Sequence, residues 1–207
     1  MNTATTPTSA SAIAALLDAR RSIRRLGPAS FSPMLIADLA AATHSVPSAF
    51  NAQPWHVVVL QDRNAIFWDR IEEAITVHLE GERRARYLAR AAGMRQGGMT
   101  LLVFEDRARV APRDGLAAEE TRDQASQSIG MVQLAVWLTI TAHGLSTSLQ
   151  HWHVIADIER LALDFVGLAP GGYRLVSFMP VGEHAEPLPS REEVAGRFSM
   201  EHAIPER

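Results

Sequence analysis

Two short stretches of this 207-residue chain hold the side chains best suited to bind a ligand. The first is RRSIRR, residues 20–25, which places Arg20, Ser22 and Arg24 close together at a predicted helix end. Guanidinium forks and a hydroxyl in this arrangement can gather around a phosphate group. A solvated basic face is the alternative, and composition alone favours it because charge runs usually lie on the surface.

The second stretch is PSAFNAQPW, residues 47–55, directly before a predicted buried strand. Its proline, serine and asparagine are turn formers, so a plain loop is one interpretation. The side-chain amides of Asn51 and Gln53 support another interpretation, because an amide donates and accepts hydrogen bonds at once. A planar heterocycle with alternating carbonyl and N–H edges requires such groups.

Other chemistries find little support. His151 and His153 have the i, i+2 spacing of some metal ligands, but no further ligand lies at a supporting distance, so we expect a packed or solvent-facing pair. The chain has no cysteine, no G-x-S-x-G, no phosphate-binding P-loop and no G-x-G-x-x-G. Redox chemistry would therefore need a bound cofactor, with a nicotinamide visiting as a substrate.

The elements that must position these residues alternate between helices and strands. The apolar spacing predicts helices at 12–20, 31–46, 62–79, 119–143 and about 157–165, and strands at 56–60, 100–104, 146–150 and 173–179. Ser32 is predicted to cap the second helix, Asp62 the third, and Gly144 to end the longest one. This order predicts an α+β fold with one central mixed sheet flanked by helices.

The remaining segments are more polar. Residues 1–9 are predicted to be disordered, and residues 10–207 to form a single domain. Residues 80–97 are helix-prone but heavily charged, which predicts an exposed excursion, either a lid or a solvated helix. The tail from Pro180 is predicted to be an extended arm.

Composition narrows the function classes. A net charge of -3, an isoelectric point near 6.2 and 47% hydrophobic residues are typical of a soluble globular protein and give no basic footprint for nucleic acid. No apolar run is long enough to span a bilayer, and the N-terminus lacks the features of a secretion signal. We therefore expect no membrane association and a cytoplasmic location.

Five blocks in order identify a family resemblance: RRSIRRL, VPSAFNAQPWHVVVL, QSIGMVQLAVWLTITAHGL, SLQHW and YRLVSFMPVGEHAEP. Together they resemble the FMN-dependent nitroreductase family, and two of them are similar to its small fatty-acid-repression-mutant-like branch. The resemblance implies a homodimer with FMN bound at the subunit interface, and covers the chain from Arg20 to about Pro187.

Site residues follow from the resemblance by position. The basic string implies contacts from Arg20, Arg21, Ser22 and Arg24 to the FMN phosphate and ribityl chain. The loop implies contacts to the flavin, typically from the partner subunit, by Pro47, Ser48, Asn51 and Gln53. Further cofactor contacts are implied for Ser128, Gln150 and His151, and for Arg191 or Arg197 at the phosphate. Trp55 is expected to pack the loop against the core.

The implied activity is reduction of nitroaromatics or quinones by NAD(P)H through ping-pong hydride transfer at flavin N5, with no obligatory catalytic side chain and no metal. Either an arginine of the basic string or Gln53 is expected near N1 and O2 of the ring. A non-enzymatic FMN-binding regulator linked to fatty-acid or redox signalling is the alternative, and flavin fragmentation or reductive dehalogenation is a third. The physiological acceptor and the choice between NADH and NADPH stay open.

Overall fold

A computed structural model describes residues 9–110, 112 and 115–187, without the side chains of residues 9 and 10. The helices are α1 (Ser9–Ala19), α2 (Pro33–Ser45), α3 (Asn64–His78), α4 (Gly81–Arg95), α5 (Ala118–Ala142) and α6 (Ile158–Val166). The strands are β1 (Leu26–Gly27), β2 (Trp55–Leu60), β3 (Met99–Asp106), β4 (Ser146–Thr147) and β5 (Tyr173–His184). In this part of the chain, no helix is long and apolar enough to cross a membrane.

One five-stranded sheet organises the fold, with the order β1-β5-β3-β2 and with β4 also paired to β5. All of its ladders are antiparallel; within the described ranges, parallel pairing is confined to isolated bridges such as the one between Ser22 and Thr147. The predicted α+β fold with flanking helices is confirmed, whereas the predicted mixed sheet is corrected to an antiparallel one among the described strands.

The core lies on both faces of the sheet. In β3, Leu102 and Phe104 join the cluster under α3, α4 and α6, whereas Leu101 and Val103 join the cluster under α2 and α5. Successive residues of a strand point to opposite faces, so a strand covered on both sides is apolar at every position. This explains the unbroken apolar run that marked β3 in the sequence.

Two predicted helix ends are confirmed. The Ser32 hydroxyl accepts a hydrogen bond from the backbone N–H of Leu35 at 3.2 Å, and Pro33 is the first residue of α2. Gly144 follows α5 with a φ of +72°, the left-handed conformation that ends many helices. These ends fix α2 and α5 against each other and against one face of the sheet.

The extended arm predicted from Pro180 is wrong for its first residues, because β5 continues to His184, and its part from residue 188 onward lies outside the described residues. The Phe178 N–H donates to Gln150 O, and alternate residues of a strand point their N–H groups to the same side. Pro180 therefore turns its missing N–H toward β4, where the pairing is interrupted, and costs no hydrogen bond to β3. The two-residue strand β1 was not predicted, since so short a segment carries no period.

The start of α3 also differs from the prediction. The helix begins at Asn64, so Asp62 is not its cap. Asn64 is buried, and its side-chain oxygen accepts a hydrogen bond from Thr100 Oγ1 at 2.7 Å. The apolar spacing that predicts this helix places Ile66 on its inward face, but Ile66 is 51% exposed, while Phe67 and Trp68 are fully buried. Tertiary packing of the two aromatic rings decides which face of α3 turns inward.

The predicted exposed excursion at 80–97 is wrong as well. Its helix α4 packs on α3, and Ala91 and Met94 are fully buried. The Tyr87 ring contacts the Trp152 ring edge-to-face at 5.4 Å. The charged residues that suggested an excursion belong to an anchored helix, and one of them, Arg95, pairs with Asp69 and Glu72 of α3.

Candidate functional site

The basic string of residues 20–25 leaves the end of α1 and runs beside β4. The backbone N–H of Ile23 donates to Thr147 O at 3.1 Å, next to the bridge between Ser22 and Thr147. The string is therefore part of the sheet edge, rather than a freely solvated charge run.

Each arginine of the string has a different environment. The Arg20 guanidinium carbon lies 4.4 Å from the centre of the Trp137 ring, and Arg21 donates to the carbonyl oxygens of Asp18 and Arg20 at the end of α1. The exposed Arg25 side chain pairs with Glu186.

Arg24 is solvent-exposed, but its backbone is fixed. A Cβ placed on Gly93 of α4 would lie 3.0 Å from Arg24 O, so α4 passes close behind the string. The Arg24 side chain consequently extends outward from a rigid position, with its guanidinium available to an anion.

Two buried polar atoms at this edge lack a hydrogen-bond partner among the described residues: Arg21 Nε and Thr147 Oγ1. Buried donors and acceptors are nearly always paired, so unpaired ones in a native protein indicate a missing ligand or water. One is cationic and one is a hydroxyl, a combination that suits a phosphate and an adjoining polyol.

The loop of residues 47–53 adopts an unusual backbone. Phe50, Asn51 and Gln53 have φ values of 54°, 53° and 46°, in the left-handed region that residues other than glycine rarely adopt. Ser48 Oγ accepts a hydrogen bond from Gln53 N at 2.9 Å, and the Gln53 amide donates to Asn51 Oδ1 at 2.9 Å. Strained residues persist only where surrounding contacts hold them, and they cluster at functional sites.

Side-chain exposure within the loop leaves the polar groups accessible. Pro47 and Asn51 are exposed, and Ser48 and Gln53 are half-buried. Trp55 packs against the cluster under α2 and α5, which confirms its predicted role in anchoring the loop. The amides are thus presented at the surface from a fixed base.

Ser128 of α5 supports this loop from below. Its side chain is 2% exposed; the hydroxyl accepts from Ala49 N at 3.3 Å and donates to Gln124 O at 2.8 Å. A cavity of about 20 Å³ between the loop and α5 is far smaller than a typical ligand pocket. Within one chain, Ser128 therefore acts on the loop, and a cofactor contact by its hydroxyl stays a prediction.

Gln150 and His151 lie near the string through β4. Gln150 is buried, and its amide donates to Ser148 Oγ at 2.8 Å and accepts from Trp152 Nε1 at 3.1 Å. The Gln150 side chain is thus already engaged within the chain. Partial burial of its ring lowers the pKa of His151 below the ordinary value, and the charge of His153 lowers it further.

The predicted site residues fall into two groups that one chain does not bring together. Arg20 contacts α5 at Trp137, whereas the loop contacts α5 at Ser128, nine residues earlier. Nine residues correspond to roughly 14 Å along a helix and to opposite helix faces. We refer to the basic string with Gln150 and His151 as one candidate half-site, and to the loop of residues 47–53 as the other.

Two predicted site residues, Arg191 and Arg197, lie outside the described residues. Trp137 and Thr147 were missed from the sequence, because a tryptophan within an apolar helix and a threonine in a strand give no local sign of their partners. Among the described residues, no group of three or more metal-ligating side chains occurs.

Comparison with known proteins shows the family to which the chain belongs. Residues 17–183 match the Nitroreductase family. The 5,6-dimethylbenzimidazole synthase of Rhodospirillum rubrum is 27% identical over 203 residues, covering 93% of this chain and 92% of that protein.

Solved structures show the same fold. The nitroreductase CinD from Lactococcus lactis, in complex with chloramphenicol, has a TM-score of 0.77 at 22% identity and covers 94% of this chain and 99% of its own. The FMN-dependent nitroreductase NfnB from Mycobacterium smegmatis, in complex with NADPH, has a TM-score of 0.64 at 16% identity, with coverages of 93% and 100%.

Proposed function

Since the chain belongs to the nitroreductase family, we propose that it is an FMN-dependent oxidoreductase that uses NAD(P)H to reduce nitroaromatics or quinones. The observation that carries the proposal is the rigid basic string beside two unpaired buried polar atoms, Arg21 Nε and Thr147 Oγ1. A phosphate with an attached polyol and a planar ring is the ligand these groups fit best.

The residues present suit FMN at both ends. Arg20, Ser22 and Arg24 would hold the phosphate and ribityl chain, with charge-assisted hydrogen bonds from the guanidinium groups. Asn51 and Gln53 would donate to and accept from the edge of the ring. Because these two groups lie on opposite faces of α5, we assign the ring contacts to the loop of the partner subunit.

The homodimer that this assignment requires has a suitable surface. Met131 and Leu134 of α5 are 42% and 43% exposed, and Ile13 and Leu17 of the adjoining α1 are 58% and 45% exposed. Exposed large apolar side chains on two neighbouring helices are typical of a subunit interface. Most of the apolar middle of α5 is buried within the chain, so subunit contact would involve only its exposed residues.

The protein's contribution to the reaction is binding and orientation. FMN, when bound, would supply the redox chemistry, which is hydride transfer between a nicotinamide and an acceptor. An amide of Gln53 or a guanidinium of the string would stabilise negative charge on the pyrimidine side of the ring. No side-chain acid or base is assigned.

Flavin absorbance tests the proposal. Protein reconstituted with FMN and mixed anaerobically with NADPH, and separately with NADH, should lose its oxidised flavin absorbance. Adding a nitroaromatic or a quinone should restore that absorbance. Protein that retains no FMN contradicts the whole proposal, whereas bound FMN that neither nucleotide bleaches favours the regulator predicted as the alternative. The cytoplasmic location also stays a prediction, which cell fractionation tests.

A second function has one observation in its favour: the 27% identity with a 5,6-dimethylbenzimidazole synthase over nearly the full length of both chains. Under this alternative the chain consumes reduced FMN instead of recycling it. Incubation with reduced FMN in air, followed by mass spectrometry, should detect 5,6-dimethylbenzimidazole if the alternative holds. Full recovery of intact FMN after many turnovers supports the nitroreductase instead.

A further inference from the structure

The stacking of Arg20 on Trp137 sets this arginine apart from the rest of the basic string. The guanidinium carbon lies 4.4 Å from the ring centre, within the range of a cation–π interaction. The Trp137 side chain is only 7% exposed and belongs to the cluster under α2 and α5. A buried ring cannot change its orientation freely, so the arginine rests on a fixed platform.

In a cation–π contact the ring faces the flat side of a guanidinium, whereas the N–H donors lie in the plane of the group and point outward from its edge. A stacked arginine therefore keeps the planar fork that recognises phosphate, and it gives up side-chain freedom before the ligand arrives. The result is a preorganised anion ligand.

The neighbouring arginines show different arrangements. Arg21 is turned back on the carbonyl groups that end α1, Arg25 pairs with Glu186, and Arg24 is exposed. Of the four guanidinium groups in the string, Arg20 is the one for which the described structure records a stacking contact with an aromatic ring.

We propose that Trp137 is a positioning residue that holds the Arg20 guanidinium toward the FMN phosphate. The inference rests on the proposed function and deepens it. It explains why a tryptophan occupies a helix whose other buried apolar positions hold smaller residues such as Val132, Val136 and Ile140.

Comparing FMN with riboflavin, which lacks the phosphate, isolates this role. Trp137→Leu should weaken FMN binding about tenfold, since it removes a partly desolvated cation–π contact. Riboflavin binding should change less than about twofold, because no phosphate is there to be positioned. Trp137→Phe, which keeps an aromatic face, should recover most of the FMN affinity.

A double-mutant cycle and a packing control complete the test. Arg20→Met should weaken FMN binding, and in that background Trp137→Leu should have no further effect. Ile140→Ala removes buried volume one turn further along α5, and should lower stability while leaving the ratio of FMN to riboflavin affinity unchanged.

Two results would overturn the inference: an equal loss of FMN and riboflavin affinity in Trp137→Leu, or independent effects of the two substitutions in the cycle. Wild-type protein that binds neither flavin instead contradicts the proposed function, and the inference fails with it. Folding of each variant is checked by circular dichroism before the titrations.

Discussion

Asn51 combines a left-handed backbone with an exposed side-chain amide. Asparagine tolerates positive φ better than most residues, but glycine adopts it without steric cost. A chain selected only for a stable turn would be expected to place glycine here. The asparagine is better explained by its side chain, which accepts from Gln53 and leaves its own NH₂ group toward solvent.

Asn51→Gly should therefore separate stability from binding. Relief of backbone strain and the larger freedom of glycine in the unfolded chain oppose each other, so the free energy of unfolding should stay within about 1 kcal/mol of the wild type. FMN affinity should fall about tenfold or more through loss of the amide. Urea unfolding and a fluorescence titration measure the two quantities. Unchanged affinity would remove Asn51 from the site.

His151 makes a testable contribution to pH dependence. Partial burial and His153 lower its pKa in the folded state, so the unfolded chain binds a proton more readily. As pH falls below about 6.5, the unfolded state gains protons first and the folded state loses relative stability. Well above about pH 6.5, His151 is neutral in both states and no longer changes the stability of the folded state.

His151→Gln should thus narrow the difference in unfolding free energy between pH 7.5 and pH 5.5, and should leave the value at pH 7.5 nearly unchanged. Denaturant unfolding at the two pH values provides the measurement. An acid-induced loss of stability equal to that of the wild type would mean that other groups account for it.

Among the elements, the junction of α4 with β1 and β5 depends on glycines. A Cβ on Gly182 would lie 2.5 Å from Gly97 Cα and 2.6 Å from Gly27 O, and a Cβ on Gly97 would collide with Val181 O. Backbone atoms on every side cannot move aside as a flexible side chain could. The close approach fixes the end of α4 behind the basic string, which ties packing to the site.

Gly182→Ala should destabilise the fold by about 1–3 kcal/mol or more through overpacking. FMN binding should weaken along with it, because the strand beside β4 must shift. Gly172→Ala is the matched control: its nearest contact would be 3.6 Å away, and its effect should stay within about 0.5 kcal/mol. Thermal unfolding monitored by circular dichroism distinguishes the two. Equal melting temperatures would show that the junction can relax.

Sequence reasoning succeeded where local chemistry decides the structure and failed where distant contacts do. The Ser32 cap and the Gly144 terminus are local and were predicted correctly. The inward face of α3, the continuation of β5 past Pro180 and the anchoring of α4 depend on partners far along the chain. The family resemblance supplied the site residues, but neither it nor their spacing showed that Arg20 stacks on Trp137.

For the whole molecule, the proposed function requires a dimer, because α5 separates the two candidate half-sites. Met131 and Leu134 expose apolar surface on α5 between the two half-sites. The proposed interface and the proposed site therefore lie on the same helix. A monomer would have either end of the site but not both. Loss of the dimer should therefore abolish FMN binding even where the fold persists.

Leu134→Arg places a charge in the proposed interface and should convert dimers into folded monomers that do not retain FMN. Val77→Arg on α3 is the control, since Val77 is 75% exposed and lies away from α1 and α5. Light scattering after size-exclusion chromatography gives the masses. Dimers that persist in Leu134→Arg would place the interface elsewhere.

Mixing defective subunits tests whether each FMN site is built from two subunits. Arg20→Met and Asn51→Ala homodimers should each bind FMN weakly, because each lacks one half of every site. Heterodimers of the two variants, purified with different affinity tags, should contain one intact site and one doubly defective site. We predict tight FMN binding at about one FMN per heterodimer, the stoichiometry that one complete shared site requires. Heterodimers that bind FMN as weakly as the parent variants would contradict a site shared between subunits.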